Sequence, residues 1–118
     1  MAEQTTAPAF LDGLRTALTN TGYSFAYAAW SKAPDGDYGV YFCDGQDQFS
    51  ADTLSASEIA ERGYVDYFTR DASTAPKTAI ESALKTVGCK WWLNSIQIED
   101  DTGYIHYEWL WINDNGKV

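Results

Sequence analysis

Few residues of this chain have the types and spacing that acid–base or metal chemistry requires. His106 is the only histidine, and Glu108 follows two positions later. On a strand, two such side chains point to the same face and could bind a metal or exchange a proton. Because the sequence offers no third ligand, nucleophile context or glycine-rich loop beside them, we interpret them as a surface or interface pair.

The cysteines and glycines also favour structural roles. Cys43 and Cys89 lie far apart without CxxC spacing, which predicts two buried, reduced thiols in an intracellular chain. Gly36, Gly39 and Gly45 fall in turns rather than in a phosphate-binding motif. We therefore expect no catalytic residue, no metal and no cofactor.

Tryptophan is concentrated near the end of the chain. Four of the five tryptophans lie in the segment CKWWLNSIQIEDDTGYIHYEWLWI, residues 89–112. They could line a pocket for a planar ligand, but cross-strand aromatic pairs also stabilise hairpins, and tryptophan is enriched at interface hot spots. We favour sheet packing together with an interface over a small-molecule pocket.

The composition predicts one globular domain, residues 1–118, with a flexible tail at 1–7. The formal charge of −9 and the pI of about 4.3 oppose binding to nucleic acid or to anionic lipid. No apolar run is long enough to span a membrane, and the first residues lack the apolar core of a secretion signal. An intracellular location is therefore expected.

Hydrophobic periodicity and turn signals predict the order α-β-β-β-α-β-β. Gly22 and Gly88 are expected to end the two helices, and the Pro-Asp-Gly of residues 34–36 and the Asp-Asp-Thr-Gly of residues 100–103 predict the turns of two hairpins. The predicted elements are a helix at Pro8–Thr21, a hairpin of 23–31 with 38–44, a strand at Glu58–Arg70, a helix from Ser73 or Thr74 to Gly88, and a hairpin of Lys90–Glu99 with Tyr104–Asn113.

These elements predict an α+β fold, an antiparallel sheet with two helices packed on one face. The last strand, Tyr104 to Asn113, carries bulky side chains on both faces. Because monomers seldom expose large contiguous apolar patches, we expect the face away from the helices to meet a partner.

The segment Gly45–Ser57 is long for a connection inside a compact domain. Phe49 and Leu54 are its large apolar residues, and Asp52 lies between them. We expect this segment to order on binding, with those apolar side chains as anchors.

The run from Tyr38 to Leu84 resembles the small tail-completion, or tail-terminator, proteins of phages and prophages. The likeness lies in the aromatic strand ending in Asp-Gly at Tyr41–Gly45, the loop with Phe49 and Ala51–Asp52, the strand Val65–Arg70, the capped helix Ser73–Gly88, and the aromatic hairpin Trp91–Ile112. With these elements, the resemblance spans roughly Leu14 to Ile112.

The resemblance implies a non-enzymatic virion protein, assembled in the bacterial host cytoplasm and located in the tail or neck of the virion. Such proteins cap the tail tube as a ring, commonly a hexamer, and support head–tail joining, so the implied partners are further copies, the tail tube protein and the head–tail connector. The interface residues we predict are Phe49, Asp52, Leu54, Trp91, Trp92, Trp109 and Trp111.

A small acidic binding module, such as an immunity or inhibitor protein, is the alternative that the net charge favours. Salt distinguishes the two hypotheses, because binding led by charge weakens steeply as ionic strength rises, whereas assembly led by aromatic burial changes little.

Overall fold

The computed structural model describes residues 7–47 and 60–113. It confirms the α+β class and the order α-β-β-β-α-β-β. The elements are α1 (Ala7–Thr19), β1 (Phe25–Tyr27), β2 (Tyr38–Asp47), β3 (Ala60–Thr69), α2 (Ala75–Val87), β4 (Lys90–Ile98) and β5 (Ile105–Asn113).

The first helix buries one stripe of side chains. Phe10, Leu14 and Leu18 recur at four-residue steps and are all buried, which is the spacing that puts them on one helical face. The helix ends at Thr19, two residues earlier than predicted. The chain then turns through Gly22, whose φ of 87° suits glycine.

The second helix follows its sequence signals closely. Pro76 lies in the first turn, and Gly88 ends the helix in the left-handed conformation at φ 81°. Glu81 pairs with Lys77, with 3.2 Å between the ammonium and carboxylate. The buried stripe of α2 is Pro76, Ile80, Ala83 and Leu84.

The five strands form one sheet in the order β1-β2-β3-β5-β4. Successive pairs from β2 to β4 are antiparallel, but β1 pairs with β2 in parallel. The sheet is therefore mixed, and two of our expectations are wrong: the sheet is not wholly antiparallel, and β1 and β2 do not form a hairpin.

The backbone at Ala28 explains why β1 does not continue into a hairpin. Ala28 has a positive φ of 67°, and the amide of Ala29 donates to the carbonyl of Tyr27, 2.7 Å away. This tight turn ends β1 after three residues, and the chain returns through residues 28–37 to start β2 beside it. Positive φ is uncommon for alanine, so no residue type marked this turn in the sequence.

Side chains of the sheet hold the returning segment in place. The carboxylate of Asp37 accepts a hydrogen bond from the hydroxyl of Thr69 at 2.6 Å. The hydroxyl of Tyr104 donates to the carbonyl oxygen of Gly36 at 3.0 Å. These contacts anchor the residues just before β2 to the last residue of β3 and to the residue just before β5.

The core lies between the helices and one face of the sheet, here called the helix-covered face. Trp109 and Trp111 of β5 and Val65 and Tyr67 of β3 are fully or almost fully buried there. The indole ring of Trp111 lies 5.0 Å from the ring of Phe10. The opposite face, here called the open face, is covered by neither helix.

Candidate functional site

The open face is organised in rows, because residues paired across antiparallel strands point to the same side. We name these rows by their character. They are the His106 row (Tyr38, Phe68, His106, Gln97), the acidic row (Val40, Asp66, Glu108, Ser95), the apolar row (Phe42, Tyr64, Leu110, Trp92) and the basic row (Gly45, Arg62, Ile112, Lys90).

The His106 row is a stack of rings. The imidazole of His106 lies 4.2 Å from the ring centroid of Phe68, and Phe68 stacks at 4.8 Å on Tyr38. Tyr104 meets both neighbouring rings edge-on, and the guanidinium of Arg70 lies 4.1 Å above the Tyr104 ring. Aromatic and cation–π contacts of this kind favour fixed side chains, so this end of the open face is preorganised.

Both ring nitrogens of His106 face carboxylates. Nε2 lies 3.2 Å from Oδ1 of Asp66, and Nδ1 lies 3.8 Å from Oε2 of Glu99. The hydrogen bond with Asp66 raises the pKa of His106 above 6.5, against the opposing effect of burial. This arrangement stabilises a protonated imidazole and directs neither nitrogen at a hydroxyl or thiol that it could activate.

Glu108 lies beside His106 on the open face, as the spacing predicts, but it has a different partner. Its Oε1 accepts a hydrogen bond from Nδ2 of Asn94 at 2.9 Å. Asn94 is the extra residue at the irregularity of register between Leu93 and Ser95. Asp66, the main partner of His106, lies 40 positions away, and only the pairing of β3 with β5 brings them together.

The apolar row crosses the middle of the open face. The rings of Phe42 and Tyr64 lie 5.7 Å apart, and Trp92 is 44% exposed at the other end of the row. Between this row and the basic row is a cavity of about 240 Å³. That volume is below the range of roughly 300 to 1,000 Å³ that is typical of small-molecule sites.

The ion pair of Arg62 with Asp44 borders this cavity, with 3.9 Å between Nε and Oδ1. Both side chains are about half exposed, so the pair contributes little stability by itself. Together with Lys90 it makes this end of the open face less acidic than the row of Asp66 and Glu108. A partner would therefore meet apolar surface flanked by acidic and basic side chains.

The four tryptophans of the hairpin formed by β4 and β5 are divided between the core and the surface. Trp109 and Trp111 are 0% and 1% exposed, beneath the helices. Our prediction that they contact a partner is therefore wrong, because the helices already cover them. Trp91 is partly buried and packs against the core. Trp92 points to the open face and is the exposed one of these four tryptophans.

The other predicted interface residues, Phe49, Asp52 and Leu54, lie outside the described residues. β2 extends to Asp47, beyond its predicted end at residue 44, and β3 begins at Ala60. The sequence places β2 only up to Asp44 because Gly45 signals a turn. In the structure, Gly45 continues the strand after a shift of register.

Cys43 and Cys89 are free thiols and both are partly buried. Burial raises the pKa of both, that of Cys89 to about 11. A thiol with a raised pKa holds little reactive thiolate at neutral pH. Their environment is that of structural cysteines.

Within residues 7–47 and 60–113, no cluster of His, Cys, Asp and Glu side chains could hold a metal ion. None of the helices there is long and apolar enough to cross a membrane. Comparison with models of known protein families gives no match, and comparison with curated proteins gives none either.

Proposed function

We propose that this protein is a phage or prophage tail-completion subunit, a tail terminator that caps the tail tube as a ring and supports head–tail joining. The observation that carries the proposal is the open face. It presents an apolar row between acidic and basic rows, and no described element covers it. Extended apolar surface of this kind favours a macromolecular partner.

The sequence resemblance to tail-completion proteins supports the same function. The aromatic strand, the following strand, the capped helix and the end hairpin that carry it correspond to β2, β3, α2 and β4–β5. In this proposal the open face binds the end of the tail tube or the head–tail connector. The ring assembles where the open face binds, and the family resemblance implies six copies. The protein is then part of the virion tail or neck.

Deleting the gene from the phage and imaging the particles tests the proposal. Overlong tails would support a terminator, whereas tails of normal length beside unjoined heads would support a joining role. Infectious particles with normal tails would contradict both.

An acidic binding module is the second candidate, and the carboxylates of Glu99 and Glu108 on or beside the open face favour it. Binding to purified tail tubes at rising salt separates the candidates. A contact led by the apolar row should change little, and one led by carboxylates should weaken steeply.

A further inference from the structure

We propose that copies of this chain join sheet edge to sheet edge, with β4 of one copy against β1 of the next. This inference deepens the proposed ring and rests on it for its biological role. Its first support is the position of exposed apolar side chains. Among the residues that the structure describes, the large hydrophobic side chains that are exposed all lie on the two edge strands: Tyr27, Trp92, Ile96 and Ile98.

The outer side of β4 has no strand partner in the described subunit. Ile98 is 71% exposed and Ile96 is 52% exposed along this edge. Natural proteins protect edge strands with charges, proline or bulges, because an open apolar edge recruits another strand. In β4 the irregularity at Asn94 is such a feature, but the residues that follow it, 95–98, carry no charge and no proline.

The opposite edge is also incomplete. β1 pairs with residues 39–41 of β2, while β2 itself continues to Asp47. The hydroxyl of Tyr27 accepts a hydrogen bond from the amide of Cys43, 3.3 Å away, at the point where β1 no longer covers β2. Tyr27 is still 43% exposed there.

The charge distribution allows two copies to approach at these edges. The chain has seventeen acidic residues and a net charge of −9, yet segment 90–98 and segment 23–34 contain none of them. Each segment carries one lysine, Lys90 or Lys32. The two edge segments therefore add no carboxylate repulsion of their own to a contact of edge with edge.

Strand directions and levels are compatible with this contact. Three successive antiparallel pairings separate β4 from β2, and β1 is parallel to β2, so β4 and β1 run in opposite directions. A neighbour related by rotation about an axis along the strands would place them as an antiparallel pair. Register through the sheet puts Tyr27 level with Leu93 and Phe25 level with Ile96.

Such a contact joins different surfaces of the two copies. Each copy then offers one β4 edge and one β1 edge, so the assembly grows beyond a dimer and forms a ring when the rotation between neighbours closes. A symmetric contact of β4 with β4 would instead stop at a dimer. The two arrangements therefore differ in how edge variants behave when mixed.

The experiment uses sedimentation velocity on the full chain over a series of concentrations. The β4-edge variant carries Ile96→Lys and Ile98→Lys, and the β1-edge variant carries Tyr27→Lys. We expect wild type to form species larger than a dimer and each variant alone to remain monomeric. An equimolar mixture of the two variants should form a dimer and nothing larger, because one intact edge of each kind remains.

A control with Thr16→Lys and Ser82→Lys adds the same charge as the β4-edge variant at exposed helix positions and should assemble as wild type does. If Tyr27→Lys fails to fold by circular dichroism, Ala29→Lys, at an exposed position beside β1, replaces it. Dimers of the β1-edge variant alone would overturn the proposal in favour of β4–β4 pairing. Monomeric wild type at every concentration would also overturn it, but would leave the proposed function to the deletion experiment.

Discussion

Nε2 of His106 lies 3.2 Å from Oδ1 of Asp66, diagonally across the pairing of β5 with β3. This hydrogen bond is the main reason that the pKa of His106 is raised above its ordinary value of 6.5. A histidine whose pKa is higher in the folded state stabilises the fold fully below the unfolded pKa. That stabilisation is lost as pH rises through the folded pKa.

We therefore predict a fall in the free energy of unfolding as pH rises from about 6.5 through the raised pKa of His106. Urea denaturation at a series of pH values measures it. The variant His106→Gln should lack this fall, and since the chain has no other histidine, the comparison isolates one imidazole. If the variant shows the same fall as wild type, the hydrogen bond with Asp66 does not retain the proton on His106.

Glu81 of α2 accepts a hydrogen bond from the buried indole of Trp109, with 3.0 Å between Nε1 and Oε2. Glu81→Ala should leave that donor unpaired and cost about 1 to 3 kcal/mol of stability, measured by urea denaturation. Glu81→Gln retains an acceptor oxygen and should cost less. Lys77→Ala is the control for the partly exposed ion pair and should cost under about 1 kcal/mol. Equal losses in Glu81→Ala and Lys77→Ala would assign the effect to the ion pair.

Local signals predicted the helices and the end hairpin well, because their information lies within short stretches. The stripe of Ile80, Ala83 and Leu84 and the cap at Gly88 are examples. The parallel pairing of β1 depends instead on the backbone of Ala28, an ordinary residue type in an uncommon conformation. Local sequence patterns also do not indicate which distant strands pair. The sequence therefore suggested Glu108 rather than Asp66 as the neighbour of His106.

The tryptophans also show a limit of prediction from the sequence pattern. Alternation predicted that both faces of β5 are bulky, but it could not tell which face the helices cover. The helices cover Trp109 and Trp111, while the open face receives Leu110 from β5 and Trp92 from β4. Side-chain type identified the aromatic surface, and only the packing of α1 and α2 decided which part of it remains accessible.

Gly63 and Gly13 are expected to respond to alanine in opposite ways. A Cβ at Gly63 would lie 1.8 Å from the carbonyl oxygen of Phe42 and 2.6 Å from the ring of Trp111. Gly63→Ala should therefore destabilise by at least about 1 to 3 kcal/mol, the usual range for overpacking. Gly13 is an interior position of α1 with no atom within 4 Å of a Cβ. Gly13→Ala should stabilise by roughly 0.5 to 1 kcal/mol. Thermal unfolding of both variants tests the pair, and tolerance of Gly63→Ala would mean that β2 and β3 separate more easily than described.

Glu61 is a buried carboxyl group whose loss of charge should stabilise the protein. It is 3% exposed, and its Oε1 accepts a hydrogen bond from Nδ2 of Asn113 at 3.1 Å. Its Oε2 has no hydrogen-bond partner. Burial raises the pKa of Glu61 above 4.5, with the Asn113 contact opposing the shift. Because the folded pKa is the higher one, wild-type stability should fall as pH rises from 4.5 through that pKa and stay lower above it.

The variant Glu61→Gln keeps an oxygen for Asn113 and has no charge to desolvate. We expect it to exceed wild type in free energy of unfolding at neutral pH and to lose that advantage as pH falls below 4.5, measured by urea denaturation at both ends of the range. Glu61→Ala is the control: it removes the acceptor of the hydrogen bond from Asn113 and should cost about 1 to 3 kcal/mol at either pH. A Glu61→Gln variant that is less stable than wild type at neutral pH would contradict this prediction, because the charged carboxylate would then stabilise the fold.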